Sequence, residues 1–291
     1  MLFQNHLILL RGGGDLATGV AWRLHHAGFP VVVAELPRPL VVRRCVALAT
    51  AILEGEITVE TLRAVRVETP DEAWTLAATG VIPVLVAATI PVEWTDDRRP
   101  PTAEGVAPAA VGRRPSAVVD ARMAKRNIDT RISDAPLVVA LGPGFTAGVD
   151  CHAVVETNRG HRLGRVIWRG AAEPNTGTPG IVAGKGRERV LRAPIAGVAS
   201  WRIDIGDRVR EAQILGDVAG HEVSAPFDGV VRGLIAPGTV VPPGLKIGDI
   251  DPRDDAWAAF TISEKALAIG GGVLEAILTH LSSTPASEAQ R

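Results

Sequence analysis

Leu7-Ile8-Leu9-Leu10-Arg11-Gly12-Gly13-Gly14-Asp15-Leu16-Ala17-Thr18-Gly19 decides the fold. An apolar run enters three glycines and then continues through Val20, Leu24 and His25 at helical spacing. Read as Gly12-x-Gly14-x-x-Ala17, the stretch is a strand, loop and helix in the dinucleotide-binding pattern. There, glycines let backbone amides approach a phosphate at the positive end of a helix. Gly12, Gly13, Gly14, Ala17 and Thr18 are its candidate cofactor-binding residues. Asp15 joins them as a carboxylate that must turn away, cap the helix or hold a cation. Glu35 ends the next apolar run about 20 residues on, where an acid receives ribose hydroxyls. The other reading, a glycine turn that only packs a helix on a strand, stays open.

Further apolar runs follow at Val31–Ala34, Val84–Ala88, Ala117–Val119 and Leu137–Leu141, with a weaker one at Ala64–Val67. Continuous apolar strands alternating with helical stretches predict an α/β unit whose parallel sheet is covered on both faces, a Rossmann-like doubly wound domain over residues 1–150. Thr95 to Ser116 has no periodicity and reads as a long mobile loop. In an open parallel sheet the carboxyl ends of the strands share one edge. That edge collects Arg38, Arg43 and Arg44 beyond Glu35, Arg122, Lys125 and Arg126 beyond Asp120, and the glycines of both loops. The set suits a phosphate-bearing small molecule, because guanidinium forks grip phosphate oxygens two at a time.

The chain of 291 residues is long enough for two domains, and 31 basic against 32 acidic residues leave no basic tail to mark a nucleic-acid binder. Lysine is scarce: Lys125, Lys185, Lys246 and Lys265 are the only four, beside 27 arginines. Two cysteines, far apart in sequence, suggest neither a metal clip nor a disulfide frame, and a reduced, cytoplasmic chain is the economical reading. No stretch approaches the roughly 18 apolar residues of a membrane span, and the N-terminus reads as a first strand instead of a signal peptide.

Beyond residue 150 the texture changes to short strands rich in Gly and Pro. Ala193–Val218 aligns without a gap on Ala225–Ile250 at an offset of 32 residues, with eight of 26 positions identical, the turn glycines among them. Ala-Pro-x-x-Gly-Val, Gly-x-x-Val and Gly-Asp-Val/Ile resemble the biotinyl/lipoyl-type domain, a barrel-sandwich hybrid of two interlocked four-stranded halves. Carrier members of that family hold a modified lysine on the hairpin between the halves. Here Val218 to Val223 contains no lysine, so neither biotin nor lipoate is expected. The expected order is therefore a Rossmann-like domain over 1–150, a β-rich connection over 151–189, the biotinyl-like domain over 190–251, and a helix with tail over 252–291. Gly270, Gly271 and Gly272 inside that helix predict a break or close packing on another backbone.

Leu141-Gly142-Pro143-Gly144-Phe145-Thr146-Ala147-Gly148-Val149-Asp150-Cys151-His152 forms a second glycine loop at the functional edge. Gly142, Gly144, Phe145 and Thr146 are candidate phosphate holders. Cys151 is the candidate catalytic thiol, with Asp150 and His152 as its polar neighbours; the alternative is a small buried cysteine at a domain junction. Cys45 reads as core packing. Pro174 to Gly180 reads as a linker that could donate amides to a ligand. No metal ligands occur at a recognisable spacing.

The blocks at 12–19 and 141–152, with Val41-Val42-Arg43-Arg44, Leu53-Glu54-Gly55-Glu56, Asn175-Thr176-Gly177 and Ala268-Ile269-Gly270-Gly271-Gly272-Val273, resemble the accessory-protein family of the selenium-dependent molybdenum hydroxylase system. Its members often carry the plain name molybdenum hydroxylase. The resemblance implies a maturation role beside a client molybdenum hydroxylase, with a nucleotide or the phosphorylated pterin of molybdenum cofactor as ligand and Cys151 handling sulfur or selenium. A hydroxylase with its own iron–sulfur centres is excluded, since two cysteines cannot supply one cluster's four ligands. Two other functions remain open at this level: an NAD(P)-dependent oxidoreductase, and a non-enzymatic scaffold that docks a client through the barrel-sandwich domain.

Overall fold

The computed structural model describes residues 1–95, 114–175, 177 and 180–283. Most of the loop expected over 95–116, and Thr176, Thr178 and Pro179 of the turn-rich segment, lie outside them. Strand β1 (Ile8–Arg11) is central in a nine-stranded sheet and pairs in parallel with β2 (Val31–Glu35) on one side. Every residue of both strands is buried, which is why they read as continuous apolar runs. Helix α1 (Asp15–His26) follows the glycine loop and lays Ala17, Val20, Ala21 and Leu24 on the sheet.

The sheet continues outward through β3 (Glu56–Val59), β4 (Leu62–Val67) and β5 (Ile82–Val86) on the β2 side. On the other side β6 (Ala117–Asp120) pairs with β1 and β7 (Leu137–Leu141) pairs with β6. Short α2 (Ala51–Glu54) and α3 (Pro70–Ala77) fall between β2 and β5. A small pairing of β8 (Thr146–Ala147) with β11 (Gly170–Ala171) flanks β9 (Ala153–Val155) and β10 (Val166–Ile167). The full order is β10-β9-β7-β6-β1-β2-β5-β4-β3.

The sheet is mixed and not wholly parallel as expected: β3 on β4 and β10 on β9 are antiparallel edges around a parallel interior. It also runs past residue 150, because the buried Ala153-Val154-Val155 adds a strand beside β7. Strand β5 begins two residues earlier than the apolar run at Val84–Ala88 suggests, leaving Ala87 and Ala88 beyond its end.

The second half carries the repeat into three dimensions. Its first unit supplies β12 (Val190–Arg192), β13 (Gly197–Trp201), β14 (Arg208–Val209) and β15 (Ile214–Val218). The second supplies β16 (His221–Ser224), β17 (Gly229–Leu234), β18 (Val240–Val241) and β19 (Lys246–Asp251). They form two sheets, β12-β19-β17-β14 and β16-β15-β13-β18. Each sheet therefore has a core pair from one unit and outer strands from the other. The β15–β16 hairpin turns on Ala219 and Gly220, both at positive φ (50° and 82°), the geometry of a two-residue type I′ loop.

Helix α4 (Glu264–Ser283) returns to the first half and is unbroken across Gly270–Gly272. Gly270 lies against the Gly19 carbonyl of α1, and a Cβ at Gly19 would fall 2.5 Å from the Ala266 carbonyl carbon. Small residues thus let two helix backbones touch, the close-packing branch of the sequence reading. Ala266, Ile269, Val273, Ala276 and Ile277 join the core over β7 and β9, whose described crossovers contain no α-helix. Contrary to the expectation from sequence, Ala256–Ser283 is by length and composition long and apolar enough to cross a membrane; in the fold α4 buries one face, Ala266, Ile269, Val273, Ala276 and Ile277 among it, against the first half.

Candidate functional site

A cleft of about 980 Å³ opens where the carboxyl edge of the large sheet faces the second half. Its floor is the β1–α1 loop. Gly12 has φ +94°, and a Cβ there would sit 3.0 Å from the Arg122 backbone, so only glycine fits between the β1 and β6 loops. Gly14 is the N-cap of α1 and places no side-chain cap on the first-turn amides, leaving the positive end of the helix open. Gly13 is packed on Ala49, and its N–H donates to Glu35 Oε2 at 2.8 Å. Glu35 Oε1 accepts from Leu36 N–H at 2.7 Å. Both carboxylate oxygens therefore brace the backbone, and burial raises the Glu35 pKa against those two hydrogen bonds. This differs from the expected ribose contact: Glu35 reaches the cleft wall but holds the loop.

Asp15 turns away from the loop amides and pairs with Arg43 at 3.2 Å. Arg43 also donates to the carbonyls of Ala258 and Thr261 at 3.1 and 3.2 Å, tying the loop to the segment before α4. It is 8% exposed, and its Nε–H has no hydrogen-bond partner among the described residues. Arg44 lies off the cleft wall and donates to the Leu234 carbonyl at 2.8 Å, joining the halves. Thr18 and Ala17 are also off the wall: Thr18 Oγ1 bridges the Gly14 carbonyl and Leu48 N–H at 3.1 Å each, and Ala17 is core.

The carboxyl ends of β1 and β6 are closed by an ionic network. Asp120, 1% exposed, accepts from Arg122 and Thr130 Oγ1 at 2.6 Å each. Asp129 receives Arg122 at 2.8 Å and Arg11 at 2.7 Å. Burial opposes the Arg122 charge, but the hydrogen bonds and charges of Asp120 and Asp129 outweigh it and raise its pKa. Arg122 is thus largely neutralised by protein carboxylates.

The 141–152 block stays out of the cleft. Gly144 packs on the backbone of Lys125 and Arg126, Gly142 on Thr157, Phe145 is core, and Thr146 N–H donates to Asp150 Oδ2 at 2.7 Å. Asp150 also accepts from Asn127 at 3.0 Å, so it braces a loop. His152 Nδ1 accepts from Val138 N–H at 2.9 Å, a bond that requires the lone pair, and burial together with His280 lowers its pKa. Cys151 is fully buried, and burial with the charges of Asp150 and Asp120 pushes its thiol up to about 12. The reading of Cys151, Asp150 and His152 as a reactive set is corrected accordingly, because the nucleophile would have to be a thiolate.

Of the cations expected at this edge Arg43, Arg122 and Lys125 line the cleft and Arg38 and Arg126 do not, and the cleft gathers others that the motif reading does not place there. Its wall carries nine basic side chains against four carboxylates, including three of the four lysines, Lys125, Lys246 and Lys265. Arg189, Arg232 and Lys246 reach it from the second half, and Arg159 from the connection. Leu36, Leu40, Val42 and Ile128 give it an apolar side. Among the described residues no group of three or more His, Cys, Asp or Glu could hold a metal ion.

No protein-family model matches the chain. A relative in Escherichia coli (strain K12), bearing the name uncharacterized protein YqeB, is 46% identical over 274 residues, which is 94% of this chain and 48% of that protein. The chain spans about half the length of this curated relative. An aspartoacylase family protein from Mesorhizobium loti aligns at 16% identity over 23% of this chain and 24% of that one, with a TM-score of 0.21. A succinylglutamatedesuccinylase/aspartoacylase from Rhodobacter sphaeroides aligns at 23% identity over 23% of each chain, with a TM-score of 0.20.

Proposed function

We propose that this chain is an accessory protein for maturation of selenium-dependent molybdenum hydroxylases, and that it binds a phosphate-bearing small molecule in the cleft. The ligand is a nucleotide or the phosphorylated pterin of molybdenum cofactor. The observation that carries the binding role is the excess of nine basic over four acidic side chains on a wall that includes the glycine loop and the open N-terminus of α1. The pathway rests on the resemblance of the sequence blocks. The apolar side of the cleft suits a ring system, as small-molecule sites generally combine an apolar wall with a few fixed polar groups.

In this reading the large sheet is a Rossmann-like unit with its ligand at the carboxyl edge, supported by the β1–glycine loop–α1–β2 succession and by the reversal of strand order on either side of β1. The second half is a barrel-sandwich hybrid of the biotinyl type, supported by the exchange of outer strands between its two sheets. Its hairpin tip, Ala219-Gly220, offers no amine for a carried cofactor, so its role is to close the cleft and dock a client. The protein acts in the cytoplasm. Chalcogen transfer by Cys151 is not part of this reading.

Native mass spectrometry of the protein isolated anaerobically tests it. The expected result is a bound phosphorus-containing organic molecule that is lost from a Lys125→Gln/Lys265→Gln variant. A chain with no such molecule, which also shows no heat of binding with NAD(P) or a phosphorylated pterin, would contradict it.

A further inference from the structure

Two pairs of like charges line the cleft. Arg43 belongs to the first half and Arg232 to β17 of the second, and both line the wall. Their side chains are only 8% and 11% exposed, and the Nε–H of each lacks a hydrogen-bond partner among the described residues. Unsatisfied buried donors are rare enough that each calls for an explanation. The Asp251 carboxylate stands 3.9 Å from Arg232 and is already engaged by Arg253 at 2.7 and 2.9 Å. Burial and then the Arg43 charge both disfavour the Arg232 cation.

The second pair is Lys125 and Lys265. Both line the cleft, and neither makes an ion pair among the described residues. Burial lowers the pKa of each, and the Lys125 charge adds to the effect on Lys265. Lys265 also stands in the first turn of α4, where the helix dipole repels a cation and favours an anion. Asp15 is the 3.2 Å partner of Arg43, and its charge favours the Lys265 cation. Four cations from both halves of the chain therefore line one cleft, more than one small anion neutralises.

We infer that the ligand belongs to the diphosphate class, with one anionic group seated between Arg43 and Arg232 and a second between Lys125 and Lys265, so that it bridges the two halves of the chain. This rests on the cleft being the ligand site. The two guanidinium groups hold the first anionic group, and the two ammonium groups with the first turn of α4 hold the second.

Isothermal titration of the full chain with inorganic phosphate, pyrophosphate and tripolyphosphate tests the inference. Pyrophosphate or tripolyphosphate should bind at least about tenfold more tightly than phosphate, the worth of one added charge-assisted contact. Arg232→Gln and Lys265→Gln should each remove about tenfold of that affinity and leave phosphate, which keeps the other pair, within about threefold. Arg232→Lys, which keeps the charge without the Nε–H, should fall between Arg232→Gln and the parent, and it serves where Arg232→Gln does not fold. Equal affinity for all three anions, or variants that weaken phosphate as much as the longer anions, overturns the two-group inference while the cleft remains an anion site. Failure of all three anions to bind overturns the cleft reading itself.

Discussion

Gly270→Ala and Gly271→Ala, adjacent substitutions in the middle of α4, should have opposite signs. Replacing glycine by alanine inside a helix stabilises by about 1 kcal/mol through helix propensity, and that gain is available at both positions. Gly271 has nothing within 4 Å of a built Cβ, so the gain should appear in full. At Gly270 the Cβ would overlap the Gly19 carbonyl oxygen and sit 2.9 Å from Arg23 Cγ. The arginine can swing away, but the carbonyl is backbone in the middle of α1 and cannot move without separating the helices. Overpacking of this kind costs about 1–3 kcal/mol net, and more where backbone must shift. For a chain of this size 1 kcal/mol corresponds to about 2–4 °C. Thermal melts followed by far-ultraviolet circular dichroism should therefore show Gly271→Ala about 2–4 °C above the parent and Gly270→Ala several degrees below it. A Gly270→Ala protein as stable as Gly271→Ala would refute the direct backbone contact between α1 and α4, and with it the account of how the helix-poor side of the sheet is covered.

Cys151 should resist iodoacetamide in the native protein from neutral pH to about pH 9 and react only on denaturation, because its thiol titrates near 12; rapid native labelling would restore it as a candidate nucleophile. Asp120→Asn should destabilise by about 3 kcal/mol or more, since it leaves buried Arg11 and half-buried Arg122 sharing Asp129 alone, as chemical denaturation can measure. Asp129 and Asp251 both have pKa values lowered in the fold: burial opposes the shift, but Arg122 and Arg11 outweigh it for the first, and Arg253 and Arg232 for the second. Their contribution is fully present above the unfolded carboxylate range and is lost as pH falls through the lower folded values. Melting temperature should therefore drop below about pH 4, and an Asp129→Asn/Asp251→Asn protein should start less stable and show a flatter acid limb.

The parts legible in sequence were those with a one-dimensional signature. Leu7–Leu10 and Val31–Ala34 announced β1 and β2 because strands buried on both faces cannot alternate. The 32-residue repeat announced corresponding strands such as β13 and β17, whose first residues are Gly197 and Gly229. The two-residue edge at Val166–Ile167 carried too little pattern to show that the sheet would be mixed. At the site, Gly12, Gly14, Asp15, Glu35, Arg43 and Arg122 do reach one cleft. Their tasks differ from those expected of a phosphate loop, since Glu35 and Asp15 bond within the protein. Cys151 looked exceptional beside His152, but adjacency in a strand-like segment says nothing about burial. Arg189, Arg232 and Lys246 escaped notice because they cross from the other half of the chain. The scarcity of lysine was their one outward trace.

That scarcity makes the central claim directly measurable. Amine-selective acylation with peptide mass mapping, in the absence and presence of pyrophosphate, reports on all four lysines in one experiment. Lys125, Lys246 and Lys265 line the cleft, whereas Lys185 lies over the Phe227 ring and off the wall, an internal control. Pyrophosphate should slow labelling of Lys125 and Lys265 by about fivefold or more, as near-saturating occupancy requires, with Lys185 unchanged. Equal labelling of Lys125 and Lys265 with and without the anion, or protection of Lys185 to the same degree, would contradict an anion site in the cleft.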